Sequence, residues 1–266
     1  MSDPVSSTIL LFDIERFSDR DDVEQAYLRR MLFDLTDRTL LAAGIERTSC
    51  RRADRGDSVM ELIDANASLT ALLRTLLTFV PAQLRGMNRM AAASAQMRIR
   101  AVVASGYVAV DDDGGWVGSD LNHACRLLDG AVLRQALQER TGDFALFVTE
   151  AVYRGVVQHD HTGVPADDFH LVTVDSKNGS LPAWLHGPVP QNTARPGKAT
   201  AAVPASVSTD HATPSAPDAG IVRPAPRTSF DLGGATLNGG VLGGDNHGIG
   251  GGTFHGDIHL GGGGRG

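Results

Sequence analysis

Ile9-Leu10-Leu11-Phe12-Asp13-Ile14-Glu15-Arg16-Phe17-Ser18 is the stretch on which the fold turns. Five of its first six residues are apolar, which predicts a buried strand over 8–14. Asp13 stands at the end of that strand, and Ser18 is placed to cap a following helix. A carboxylate at the mouth of an apolar strand is suited to holding a metal. Alone, an Asp at a strand end is more often a turn or cap residue, so its meaning depends on partners downstream.

Strand and helix signals alternate outward from this run. A helical pattern covers 21–43, with Leu28, Met31, Leu32, Leu35, Leu40 and Leu41 at helical spacing. Strands are expected at 45–51 and 58–63, joined by the polar run Ala53-Asp54-Arg55-Gly56-Asp57. A helix at 66–92 contains Pro81, a kink or break signal. A strand at 97–110 is interrupted by Gly106 and ends in a turn at 111–115. One helix follows at 119–138, then strands at 144–148, 169–174 and 181–186. The order predicts an α+β domain: a mixed sheet with helices packed on one side.

Composition sets the limits. The chain has 266 residues, 42% of them hydrophobic, enough for one ordinary domain and additional material. The globular pattern covers 1–188. Residues 189–229 are rich in Ala, Pro, Thr and Ser and predict a disordered linker. Residues 230–266 form a Gly-rich low-complexity tail whose isolated Val, Ile, Phe and Leu suit either a flexible segment or an assembly and docking motif. A net charge of −7 without a basic patch argues against nucleic-acid binding. No apolar run is long enough to span a membrane, and Cys50 and Cys125 have no metal-ligand spacing. A reduced, cytoplasmic protein is expected.

Three further segments carry chemistry. Gly56-Asp57-Ser58-Val59-Met60 places a carboxylate on a hairpin turn. Gly118 through Leu127 opens a helix on which Asn122 and Arg126, four apart, share a face. Asp175-Ser176-Lys177-Asn178-Gly179 is a polar lysine turn between the last two strands. His159 and His161 read as a solvated loop, and Arg47, Arg51, Arg52 and Arg55 as a solvated strand face.

In this order the four segments resemble the signatures of the class III nucleotidyl cyclase catalytic domain. Asp13-Ile14-Glu15-Arg16-Phe17 matches Asp-Ile-x-Gly-Phe, with Arg16 in place of glycine. Gly56-Asp57 matches the hairpin Gly-Asp. Gly118 through Arg126 matches Gly-x-x-Val-Asn-x-Ala-x-Arg, with Leu121 for Val. Lys177-Asn178 matches the Lys-Gly turn. The resemblance implies a ferredoxin-like sheet and an enzyme that turns an NTP into a 3′,5′-cyclic NMP and pyrophosphate. Asp13 and Asp57, with the Ile14 carbonyl, would hold two divalent cations, Mg²⁺ or Mn²⁺. Asn122 would orient the ribose, Arg126 would stabilise the α-phosphate, and Lys177 would hold the terminal phosphates. It further implies a homodimer with active sites at the interface.

The departures are informative. Arg16 either perturbs its loop or adds a phosphate-facing cation. Ala53 and Gly115 occupy the positions where purine cyclases carry base-reading groups, so the usual ATP or GTP code is absent. Asp54 and Asp113 lie nearby. Trp116 suits stacking on a base or packing at an interface. A short cyclase with these positions is similar to the bacterial Pycsar-type pyrimidine cyclases, which make cyclic UMP or cyclic CMP as antiphage signals. The alternatives are a purine cyclase with a variant pocket and a non-catalytic signalling module on the same fold.

Overall fold

The strand that the opening run predicts is central. β1 (Val5–Ile14) pairs antiparallel with β3 (Ser58–Asp64) on one side and β4 (Ile99–Val110) on the other. Its apolar run is continuous because both faces are covered. Leu10, Phe12 and Ile14 face one core, and Ile9 and Leu11 face another. The computed structural model describes residues 3–111, 114–176 and 179–191. The readings of a linker and a Gly-rich tail lie outside the described residues, apart from 189–191.

Helix α1 (Asp22–Ala42) leads into β2 (Cys50–Asp54), the hairpin partner of β3. Helix α2 (Leu69–Met90) connects β3 to β4. These elements give the order β2-β3-β1-β4, the ferredoxin-like βαββαβ arrangement. β4 also pairs with the short β5 (Trp116–Val117). The sheet then extends through β6 (Phe144–Val148), parallel to β4, to β8 (Gly179–His186) and β7 (Phe169–Ser176). Helices α3 (Ser119–Leu128) and α4 (Ala131–Glu139) follow β5, and α5 (Glu150–Gly155) follows β6.

The α+β class and mixed sheet hold, but the helices do not share one side. α1, α2 and α5 cover the face of Leu10 and Phe12, while α3 and α4 cover the face of Ile9 and Leu11. The expected single helix over 119–138 breaks at Asp129-Gly130. There a Cβ on Gly130 would sit 2.5 Å from Val174 Cγ1, so only glycine lets the chain pass so close to β7.

Other boundaries move for local reasons. Ser18 lies in a 3₁₀ turn, and Asp21 caps α1 instead. Its carboxylate accepts from Glu24 N (2.8 Å) while Glu24 reaches back to Asp21 N (3.3 Å), a capping box. Leu28, Leu32, Leu35 and Leu40 are buried as the spacing requires; Leu41 is 77% exposed. The strand expected at 45–51 starts only at Cys50. Gly44 turns left-handed (φ 71°) and a 3₁₀ turn occupies Arg47–Ser49. α2 runs through Pro81, because Leu72, Leu73, Leu76, Val80 and Leu84 hold both halves on one core. β4 likewise runs through Gly106.

The arginines of β2 are not uniformly solvated. Arg52 reaches inward to the fully buried Glu61 of β3 and also donates to Asp37 of α1 (2.6 Å). Arg47 approaches Glu61 from outside (3.5 Å), and burial pushes the Glu61 carboxyl up against these cations. Arg29 of α1 pairs with Asp54, and both Arg29 and Arg52 lie over the Phe33 ring. The hairpin is thereby tied to α1. Arg52→Ala leaves the buried Glu61 with only the longer contact to Arg47, so it should cost about 3 kcal/mol in denaturant unfolding. A loss below about 1 kcal/mol would show that the pair is not coupled to folding.

Candidate active site

Asp13 is the last carboxylate on β1. Alternation from Ile9 and Leu11 carries it onto the face covered by α3 and α4. In register, Arg100 of β4 lies on one side of it and Ser58 of β3 on the other. The Asp13 carboxylate accepts a hydrogen bond from Arg100 Nη2. Both side chains are nearly buried, at 13% and 11% exposed. Arg100 Nε and Nη1 are buried and find no hydrogen-bond acceptor among the described residues.

The hairpin brings the second carboxylate. Gly56 has φ 86°, a left-handed conformation that glycine adopts without strain. Its N–H donates to Asp54 Oδ1 (2.9 Å), and Arg55 N donates to Ser58 O (3.0 Å). Ile14 N then donates to Asp57 O (3.1 Å), which ties the hairpin to the end of β1. Burial pushes the Asp13 carboxyl up to about 6. Arg100 opposes this, while the negative charges of Asp57 and Asp129 add to it. The two carboxylates thus lie close enough for the charge of Asp57 to act on Asp13. Together with the Ile14 carbonyl they fit a hard divalent cation such as Mg²⁺ or Mn²⁺. Among the described residues no group of three or more His, Cys, Asp or Glu side chains gathers as a metal cage.

The third segment forms α3. Its start is pressed onto β4: a Cβ on Gly118 would fall 2.6 Å from Tyr107 O. A Cβ on Gly106 would fall 2.1 Å from Asp120 Oδ2, which accepts from Tyr107 N (3.1 Å). Gly106 is therefore a packing glycine rather than a strand break. Asn122 is exposed on α3, and its carbonyl accepts from Arg126 Nε (3.2 Å). The two share one face, as their spacing predicts. Arg126 is not among the charges acting on Asp13, whereas Asp129, one turn further, is. Arg126 makes no ion pair with Asp13 or Asp57 among the described residues.

The base positions are plain. Ala53 and Trp116 pack half-buried against the α3–α4 core. Gly115 closes the β4–β5 turn: Asp111 N donates to Gly115 O (2.9 Å), and Gly115 N donates to the Asp111 carboxylate. Asp54 is engaged by Arg29 and by Gly56 N, so it is not free for a base. Arg55, at the hairpin tip, lies close enough to α3 to act on Cys125, whose thiol burial pushes up. β7 and β8 pair as far as Ser176 opposite Gly179. Lys177 and Asn178 lie outside the described residues, as does Asp113. His159 and His161 sit on the exposed loop that their composition suggests.

Sequence reasoning missed Arg100 and Asp129. Arg100 had a signal: a lone charged residue inside the apolar run 99–104. Its meaning depends on the register that sets it beside Asp13. Asp129, whose charge acts on Asp13, stands at the end of α3, a helix end that spacing did not show.

No protein-family model and no curated protein sequence matches the chain. Solved structures do. A bacterial light-regulated adenylyl cyclase superposes with TM-score 0.50 at 16% identity, covering 71% of this chain and 94% of that one. The guanylyl cyclase Cya2 gives 0.48 at 16% identity over 71% and 95%. The adenylate/guanylate cyclase/hydrolase from Silicibacter pomeroyi gives 0.46 at 18% identity over 70% and 99%. The superposition on the light-regulated cyclase, with the strand order above, shows that this chain has the class III nucleotidyl cyclase fold.

Proposed function

We propose that the protein is a metal-dependent nucleotidyl cyclase, acting as a homodimer on a pyrimidine NTP. The observation that carries this reading is the convergence of Asp13 and Asp57 through the Ile14–Asp57 main-chain bond. Divalent cations held there would activate the ribose 3′-oxygen and screen the triphosphate. The 3′-oxygen forms a bond to the α-phosphorus, the bond to the β-phosphate oxygen breaks, and the 3′-proton leaves to solvent. Asn122 holds the ribose so that the 3′-oxygen lies in line. Arg126 stabilises charge on the α-phosphate, and Lys177 holds the departing pyrophosphate. Arg100 has two nitrogens, Nε and Nη1, without acceptors among the described residues, and phosphate oxygens would satisfy them. Asn122 is exposed and Arg126 makes no ion pair with Asp13 or Asp57 among the described residues, which supports sites shared between two subunits.

For the base, Ala53 and Gly115 offer no purine-reading side chain, and Asp54 is occupied. Arg55 is the exposed donor beside α3, and an arginine suits the uracil carbonyls. UTP is the favoured substrate, which fits an antiphage signal of the cyclic-pyrimidine kind. Incubating the pure protein with each NTP and Mn²⁺, with products read by mass spectrometry, tests both levels. No cyclic monophosphate from any NTP overturns the cyclase reading. A higher kcat/KM for ATP or GTP than for UTP and CTP overturns the pyrimidine reading alone.

A pH dependence follows. A carboxyl held up at about 6 is protonated below that value and cannot then ligate a cation. At subsaturating Mn²⁺, activity should fall as pH drops through about 6, and excess Mn²⁺ should move the break lower. A flat profile from pH 5 to 7.5 would remove Asp13 from the cation site.

A further inference from the structure

We propose that Arg16 recognises the triphosphate, its guanidinium binding phosphate oxygens of the nucleotide held beside Asp13 and Asp57. This rests on the cyclase reading and adds a residue that the resemblance does not assign.

The argument starts from the backbone. Arg16 has φ 56° and ψ 35°, in the left-handed region. A Cβ crowds the following carbonyl there, so an L-residue is strained where glycine is not. The loop therefore holds a conformation that suits glycine while carrying a long side chain. Packing does not account for that side chain: it is 73% exposed. Its hydrogen-bond partner is Asp19 Oδ2, which accepts from Nε at 2.7 Å. An exposed i,i+3 ion pair is a weak source of stability.

The surroundings hold the strained loop in place. Arg20 donates to the carbonyls of Glu15 (2.9 Å), Arg16, Ser94 (3.2 Å) and Gln96 (3.1 Å). Arg98 pairs with Glu15 (3.0 Å) and donates to the carbonyls of Leu137, Arg140 (3.2 Å) and Gly142 (3.4 Å). Strain persists where neighbours over-determine the backbone in this way, and such places are often functional. Four arginines surround the segment that leaves Asp13. Arg20 and Arg98 are occupied by carbonyls. Arg100 and Arg16 keep N–H groups without acceptors among the described residues, the former buried and the latter facing solvent.

Chemistry then selects the ligand. Asp19 holds the Nε edge of Arg16 and leaves Nη1 and Nη2 as a two-pronged donor. That fork matches phosphate oxygens. Arg16 lies three residues beyond Asp13, so the polyphosphate is the part of an NTP closest to it. Glu15 and Asp19 are the acids beside it, and each is paired with an arginine, Glu15 with Arg98 and Asp19 with Arg16 itself.

The test is equilibrium binding to the full chain in Mn²⁺, with α,β-methylene UTP, α,β-methylene ATP and inorganic pyrophosphate as probes. Arg16→Gly removes the guanidinium and relieves the strain, so it should fold and melt no lower than wild type. It should bind the better nucleotide analogue and pyrophosphate about 10–100-fold more weakly. Arg16→Lys should fall between the two, since it keeps charge and loses the fork. If wild type binds an analogue and Arg16→Gly binds it equally well, the Arg16 proposal is overturned and the cyclase reading stands. If wild type binds neither analogue nor pyrophosphate, both fall.

Discussion

Asp57→Asn will lower cyclic-nucleotide formation by about 1,000-fold or more while leaving the fold intact. The substitution keeps side-chain volume and removes only the charge. The hairpin does not need that charge. Its turn is set by Gly56, by the Gly56 N–H bond to Asp54, and by the main-chain bond from Ile14 N to Asp57 O. The site does need it, since the cation reading leaves two side-chain carboxylates and one carbonyl as protein ligands. A second readout separates this from a folding defect. The Asp57 charge helps to push Asp13 up, so the Asp13 carboxyl should titrate lower in the variant. Carbon-detected NMR of Asp13 would follow it. Activity within tenfold of wild type would remove Asp57 from the cation site.

What was legible in the sequence is what short-range pattern encodes. The apolar run before Asp13, the Gly-Asp hairpin and the i,i+4 pair Asn122–Arg126 all stand where they were expected. Each needs only one element to be recognised. What stayed hidden depends on how elements meet. Alternation on β1 says that both faces are apolar, yet not which helices cover them, so the second helical layer of α3 and α4 was not foreseen. Asp21 outcompeted Ser18 as the cap because Glu24 stands three residues further on, completing a reciprocal pair. Arg100 and Arg52 are both charges in strands. One faces a site carboxylate and the other a buried structural one, and only strand register distinguishes them. Arg16 shows the converse. Its departure from glycine was visible in the sequence, but only the structure shows that its backbone adopts a left-handed conformation that suits glycine.

Mixing two inactive variants should restore activity. Asp57→Ala removes a carboxylate, and Arg126→Ala removes the cation for the α-phosphate; each homodimer is expected to be inactive. If each site takes its carboxylates from one subunit and its arginine from the other, a mixed dimer has one site with both defects and one with neither. Random exchange of equal amounts makes about half the dimers mixed, each with one of two sites intact, so activity should return to about a quarter of wild type. If the sites lie within single chains, no mixed dimer contains an intact site and nothing returns. The two arrangements thus predict different numbers from one experiment. The exposure of Asn122, on the face it shares with Arg126, favours the first. Subunit exchange is verified independently by differently tagged chains. Zero recovery with exchange confirmed would place each site within one chain and would remove the main reason for two subunits to act together.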